Sequence, residues 1–239
     1  MSASGRVTIA GIGPGGSEAQ LTYQVGALLG ETDLVIYAGS MMAPSLRERV
    51  RGELLFGTGF TDGVLRERVL SAVKAGQHVA WLEPGDPSLY SGEPGWFGSL
   101  SENTAWLREQ GIAYEVLPGV SSLHALTARM GLTHVGPAEG TPLVVYAPGR
   151  DAPDRAVERL RALCAQQFPM ALFLAVGMLE SIVEIASACY GAHSRIVLGY
   201  KIGWPDERVI DSTLGEVLGI TDGSDVPRHT LVLLGPWRG

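Results

Sequence analysis

Four short loops hold the residue types through which this chain could do chemistry, and each combines glycine or proline with a hydroxyl or carboxyl group. They are 11–16 (GIGPGG), 37–40 (YAGS), 83–90 (EPGDPSLY) and 118–122 (PGVSS). A glycine-rich turn that enters a helix offers backbone N–H groups and a helix dipole to an anion. The first loop has that composition, yet Pro14 removes one of its N–H groups. A dinucleotide fingerprint also asks for an acidic residue about twenty positions on, at the end of the second strand. That strand ends in YAGS, with Asp33 before it, which disfavours a nicotinamide cofactor. In the third loop two prolines and a glycine fix the backbone around Asp86, as in irregular loops that hold ligands. An Asx turn or a helix cap is the other reading of Asp86. Ser121 and Ser122 stand where a helix would open and could cap it.

The elements that position these loops follow from hydrophobic pattern. Short, nearly continuous apolar runs at 7–12, 34–37, 54–56, 79–82 and 114–117 read as buried parallel strands. Between them, 18–29 and 62–75 carry apolar residues at helical spacing, with Asp62 as a cap for the second. Strand and helix in alternation predict a parallel α/β sheet of about five strands with right-handed crossovers. Residues 131–142 (GLTHVGPAEGTP) have three glycines, two prolines and no period, so the linker is placed at 132–141. The predicted domains are 1–131 and 142–239. In the second, strands at 143–146, 171–176, 195–200, 208–210 and 231–234 with helices at 152–167 and 179–190 predict a mixed, partly antiparallel sheet.

Composition narrows the classes. Among 239 residues, 32 are Gly and 14 Pro, about a fifth against an ordinary 12% or so. With 46% hydrophobic and 18% charged residues, that excess belongs to folded loops and not to disorder. A net charge of −7 disfavours non-specific binding to nucleic acid or an anionic membrane. The two cysteines, Cys164 and Cys189, lack metal or CxxC spacing and read as small buried hydrophobes, so no metal site is expected. No segment resembles a signal peptide or a membrane span of roughly 18 apolar residues, and a soluble, cytoplasmic protein is expected.

Taken in order and spacing, GIGPGG, YAGS, GDPSLY and PGVSS, together with the later WPDER and HTLVLLG, resemble the tetrapyrrole (corrin/porphyrin) methylases over nearly the whole chain. The resemblance implies two α/β domains, S-adenosylmethionine in the cleft between them, and a homodimer. It implies C-methylation of a precorrin in cobalamin synthesis, most like the branch of the family that methylates precorrin-4 at carbon 11. Other acceptors within the same fold, and a cofactor-binding protein without turnover, are the alternatives. Carried residue by residue, the family's cofactor positions fall on Pro14, on Pro84, Gly85, Asp86 and Leu89, on Ser121 and Ser122, and later on Leu174, Ala175, Ile202 and Thr230. For the last group, ordinary core packing of Leu174 and Ile202 is the other reading.

Methyl transfer to carbon needs alignment and water exclusion, with no nucleophilic side chain and only a weak base. Glu83, Tyr90 and His124 are the candidates near the expected cleft, His124 being also readable as a packed, hydrogen-bonded histidine. A polycarboxylate acceptor would suit Arg47, Arg49 and Arg51 after YAGS, with Arg66, Arg68 and Lys74 further on and Tyr37 and Ser40 nearby. Interleaved Glu48 and Glu67 leave a solvated helix face as the alternative. Trp96, Phe97 and Trp204 could floor a flat macrocycle or pack in a core. The chain departs from the family pattern at Gly16, where a carboxylate is common, and at Glu83-Pro84, where the compared branch has a His-Ser-like pair. It is also shorter over 146–154.

Overall fold

A computed structural model describes residues 5–39, 42–89, 99–134, 142–221, 226 and 229–237. The chain divides into two units, Met1–Ser122 with Gly203–Pro205, and Leu123–Ile202 with Asp206–Gly239. Ser40, Tyr90, Trp96, Phe97 and most of the expected linker, 135–141, lie outside the described residues.

The first unit holds a parallel sheet of β1 (Arg6–Gly11), β2 (Leu34–Tyr37), β3 (Glu53–Phe56), β4 (His78–Glu83) and β5 (Tyr114–Leu117), in the order β3-β2-β4-β1-β5. Strands β1, β2 and β4 are buried almost throughout, as their uninterrupted apolar runs require of a sheet covered on both sides. Alternation along β4 sends Ala80 and Leu82 to a core with α1 (Tyr23–Glu31) and α2 (Pro44–Arg49). It sends Val79 and Trp81 to the opposite core, with α3 (Asp62–Lys74) and α4 (Leu100–Glu109).

The helix expected over 18–29 is instead a single 3₁₀ turn, Glu18–Gln20, followed by α1. Thr22 resets the start: its hydroxyl accepts from Val25 N at 3.3 Å, the geometry of an N-cap. The cap of α3 is likewise Thr61, whose hydroxyl accepts from Val64 N, while Asp62 is the first helical residue and pairs with Arg66 at 2.8 Å.

The second unit is built on β6 (Val144–Tyr146), β7 (Met170–Leu172), β8 (Arg195–Tyr200), β9 (Arg208–Thr213) and β10 (Thr230–Leu234), in the order β6-β7-β10-β8-β9. β6 and β7 are parallel, and the other pairs are antiparallel. With α5 (Ser122–Met130), α6 (Pro153–Cys164), α7 (Leu179–Tyr190) and the short α8 (Val217–Ile220), it is a mixed α/β domain. From Leu123 onward α5 packs with this unit, and a Cβ on Gly199 of β8 would lie 2.6 Å from a Leu126 methyl. β7 stops at Leu172, short of the expected 176, because Leu174 turns into the left-handed region at φ 50°. Cys164 is buried with its Sγ 4.0 Å from Met170 Sδ, and burial pushes its thiol up to about 11. No helix among the described residues is long and apolar enough to cross a membrane.

Candidate functional site

The loops after β1, β4 and β5 leave three neighbouring strands at the same edge of the first sheet. From β1 the chain passes to α1 on one face, whereas from β4 it passes to α4 on the other. Adjacent strands whose connections leave to opposite faces open a crevice between their C-terminal ends, where ligands of open α/β sheets bind. In this unit that switch point falls at the GIGPGG and EPGDPSLY loops.

Those loops are held backbone to backbone. Gly85 N donates to Gly13 O at 2.6 Å and Gly13 N donates to Gly85 O at 3.2 Å, with both glycines at positive φ. A Cβ on Gly11 or on Gly119 would collide with Gly85 O, so the PGVSS loop after β5 closes onto the same point. The rest of GIGPGG is also committed. Pro14 O accepts from the Trp204 indole at 2.9 Å, Gly15 O accepts from Ala43 N at 2.9 Å, and Gly16 lies against the Gly203 backbone. With the Ile12 and Gly13 N–H groups spent on Glu83 O and Gly85 O, and α1 opening only at Tyr23, this loop is a hub between loops and not an anion nest.

Asp86 forms an Asx turn, its Oδ1 accepting from Ser88 N at 2.7 Å and from Ser88 Oγ at 2.6 Å. Leu89 closes the same turn through Leu89 N to Asp86 O. Ser121 is buried next to Gly85, and Ser122 begins α5. Glu83 ends β4 with only 3% of its surface exposed, and its Oε1 meets no hydrogen-bond partner among the described residues. Burial alone pushes its carboxyl up to about 8.

On the other side of β4, Tyr37 ends β2, 2% exposed and edge-on to Phe56 at 5.9 Å. Burial and the nearby Glu83 charge raise its phenol above the ordinary range, and Arg47 acts in the opposite sense. Arg47 lies over the Phe56 ring at 4.9 Å and donates from Nε to Met42 O, which puts it at the strand-end edge. Arg49 pairs with Glu18 at 2.5 Å, Arg66 with Asp62, and Arg68 with Glu53. Arg51 lies by the start of β2, where Gly52 packs on the Asp33 carbonyl; with Arg49 it lines a groove of about 360 Å³ beside α1.

In the second unit the late positions converge. Val232 pairs with Leu172 on one side and Thr230 with Tyr200 on the other, so the ends of β7 and β8 flank the start of β10. That edge brings together Leu174 and Ala175, Ile202, and Thr230. Leu174 is 45% exposed at φ 50°, and Lys201 beside Ile202 is also left-handed at φ 46°. Two strained non-glycine residues at one sheet edge are the kind of outlier that accompanies ligand sites, and hydrophobic pattern carries no warning of either. Ala175, Ile202 and Thr230 are buried. His124 is exposed on α5, its ring edge-on to His134 at 5.1 Å, and His134 hydrogen-bonds Thr127 at 3.1 Å. Neither Asn103 nor Gln20, both carrying buried polar atoms without partners among the described residues, stands out in the sequence.

These residues fit the cofactor that the resemblance implies. An adenosine with an amino-acid end asks for close backbone, hydroxyl groups and apolar walls, with no phosphate to hold. In the first unit the glycine-packed loops offer close backbone, and Ser121 and Ser122 offer hydroxyl groups.

Comparison with known proteins shows the family. The family model of the tetrapyrrole (corrin/porphyrin) methylases matches residues 6–218. A precorrin-4 C(11)-methyltransferase of Sinorhizobium sp is 31% identical over 95% of this chain and 87% of its own length. The solved structure of a cobalt precorrin-4 methyltransferase superposes with a TM-score of 0.84 at 24% identity, covering 96% of this chain and 94% of that one. A uroporphyrin-III C-methyltransferase from Thermus thermophilus, solved with S-adenosylhomocysteine, gives 0.73 at 23% identity, over 96% and 92% of the two chains. Four loops in register, two sheets of the expected kinds and a family match over most of the length converge on one conclusion: the chain belongs to the tetrapyrrole methylases.

Proposed function

We propose that this chain transfers the methyl group of S-adenosylmethionine to a ring carbon of a precorrin in cobalamin synthesis, carbon 11 of precorrin-4 being the acceptor its relatives favour. The observation that carries the reading is the close, glycine-packed meeting of the loops after β1, β4 and β5 at the switch point of the first sheet, the loops whose motifs carry the family resemblance. S-adenosylmethionine, when bound, supplies an electrophilic methyl on a sulfonium. The chain's part is to hold donor and acceptor about 3 to 3.5 Å apart and to keep water out. For the donor we assign Pro84, Gly85, Asp86 and Leu89, with Ser121 and Ser122, in the first unit, and Leu174, Ala175, Ile202 and Thr230 in the second. Pro14 acts by position, since its carbonyl is held by Trp204. For the acceptor we assign Tyr37 and Arg47, the described candidates at the strand-end edge. The reading includes a homodimer in the cytoplasm, supported by the family resemblance alone and checked by sedimentation and cell fractionation.

Incubation of the purified chain with methyl-labelled donor and a panel of metal-free and cobalt precorrins, followed by mass spectrometry, tests the proposal. One label on precorrin-4 or its cobalt form is expected, together with calorimetric binding of S-adenosylhomocysteine far tighter than of NAD. Absence of label on every precorrin, or NAD as the tighter ligand, overturns it.

A further inference from the structure

Glu83 belongs to the face of the first sheet that carries α3 and α4. Val79 and Trp81, four and two residues before it on β4, share one core with Leu65 and Val69 of α3 and Leu107 of α4. Asn103 lies one turn before Leu107, which brings it to the same layer, toward the strand ends. Glu83 is 3% and Asn103 0% exposed, and neither Glu83 Oε1 nor the two amide atoms of Asn103 meet a hydrogen-bond partner among the described residues. A sequence building only a core would place apolar side chains at both positions, since buried polar groups without partners are costly. Glu83 ends β4 directly before the Pro84–Asp86 turn, where the loops after β1 and β5 pack on Gly85. A buried carboxyl there with one oxygen lacking a partner among the described residues points to a group it meets only during the reaction.

We infer that Glu83 accepts the proton that the acceptor gives up on methylation; this rests on the function proposed above. In the step, Glu83 forms an O–H bond with the proton of a ring N–H conjugated to the acceptor carbon. That carbon bonds the methyl as the methyl–sulfur bond breaks and leaves its electron pair on sulfur. Glu83 then returns the proton to water. Its carboxyl, pushed up to about 8 by burial, leaves about a tenth ionised at pH 7 and is a well-matched weak base near neutral pH. Among the described residues, no group around it supplies a counter-charge that would lower it. Gly11 faces it from β1, and Tyr37 of β2 is itself raised by the Glu83 charge. Arg47 of α2 acts on Tyr37, Asp62 and Arg66 of α3 pair with each other, α4 carries Glu102, and Asp86 is turned to Ser88.

Glu83→Gln keeps the volume and removes the proton site. Infrared difference spectra between the wild-type chain and E83Q, with no substrate present, should show a protonated carboxyl at pH 7 that ionises as the pH passes about 8. Affinity for S-adenosylhomocysteine should stay within about threefold, as expected of a residue that handles the acceptor's proton. Single-turnover methyl transfer should fall about a hundredfold, and its rise with pH up to about 8 should flatten. A carboxyl that ionises near the ordinary 4.5 overturns the inference, as does an E83Q chain with wild-type rate and profile. A wild-type chain inert toward every precorrin overturns the function beneath it; an active wild type with unaltered E83Q overturns the role of Glu83 alone.

Discussion

Arg47 differs from its neighbours in what its guanidinium meets. Arg49, Arg66 and Arg68 each face a carboxylate, and such exposed pairs contribute only about 0 to 1 kcal/mol. Arg47 lies over an aromatic ring at the ends of β2 and β3, and its terminal nitrogens pair with no carboxylate among the described residues. A guanidinium so placed has donors left for a carboxylate arm of the acceptor. Arg47→Ala should therefore raise the apparent acceptor constant about tenfold, roughly 1.4 kcal/mol, while S-adenosylhomocysteine binding stays normal. Arg49→Ala and Arg68→Ala should leave both constants within about twofold. Steady-state kinetics with the acceptor that accepts label decides between them, and an Arg47→Ala enzyme with wild-type kinetics would return Arg47 to the solvated helix face. The sequence shows five arginines in one region but not which carboxylate each meets, because Glu18 and Glu53 lie far along the chain from Arg49 and Arg68.

At the scale of elements, the loops depend on glycines used for close approach. Gly119 has an ordinary φ, yet a Cβ there would sit on Gly85 O and the Gly11 backbone, and none of these atoms belongs to a flexible side chain. Gly119→Ala should cost about 2 to 3 kcal/mol and separate the three loops, as overpacking against backbone does. Gly30 of α1 has open space where a Cβ would stand, with nothing within 4 Å, so Gly30→Ala should gain about 0.5 to 1 kcal/mol from helix propensity alone. Urea unfolding of the two variants checks both signs, and equal stabilities would mean that the loops are not packed as described. Strand bounds are legible to the residue at 34–37, 114–117 and 195–200, but 114–117, expected to be buried, is an edge strand with Glu115 and Val116 exposed. Boundaries set by single residues are not legible. Thr22 starts α1 late and Leu174 ends β7 early, and neither a threonine beside a helical pattern nor a leucine after a strand announces a cap or a left-handed turn. In the candidate site the glycine motifs are readable, whereas the bond from Trp204 to Pro14 joins residues 190 positions apart and has no local signature.

For the whole molecule, pattern separates two sheets of different kinds, because parallel strands need crossover helices and the closely spaced late strands do not. It does not show that Gly203–Pro205 groups with the first unit, a long-range choice that Gly16 and Trp204 make together. Titratable groups that lose water contact on folding then tie stability to pH in opposite senses. Burial lowers the His78, His134 and His229 rings, so their contribution is present above the unfolded value near 6.5 and lost as pH falls through the lower folded values. Glu83 is raised, from 4.5 to about 8, so its contribution is fully present below 4.5 and lost as pH rises through about 8. Between those limits the folded chain holds a proton at Glu83 that the unfolded chain has released, and each pH unit weakens folding by up to about 1.4 kcal/mol. Glu83→Gln removes that dependence and leaves the histidines unchanged. The stability difference between E83Q and the wild-type chain should therefore be constant below 4.5, grow in favour of E83Q up to about 8, and level off above it. Urea midpoints of both chains measured across that range give the difference directly, and a gap that does not change with pH would mean that the Glu83 carboxyl ionises alike in the folded and unfolded chain.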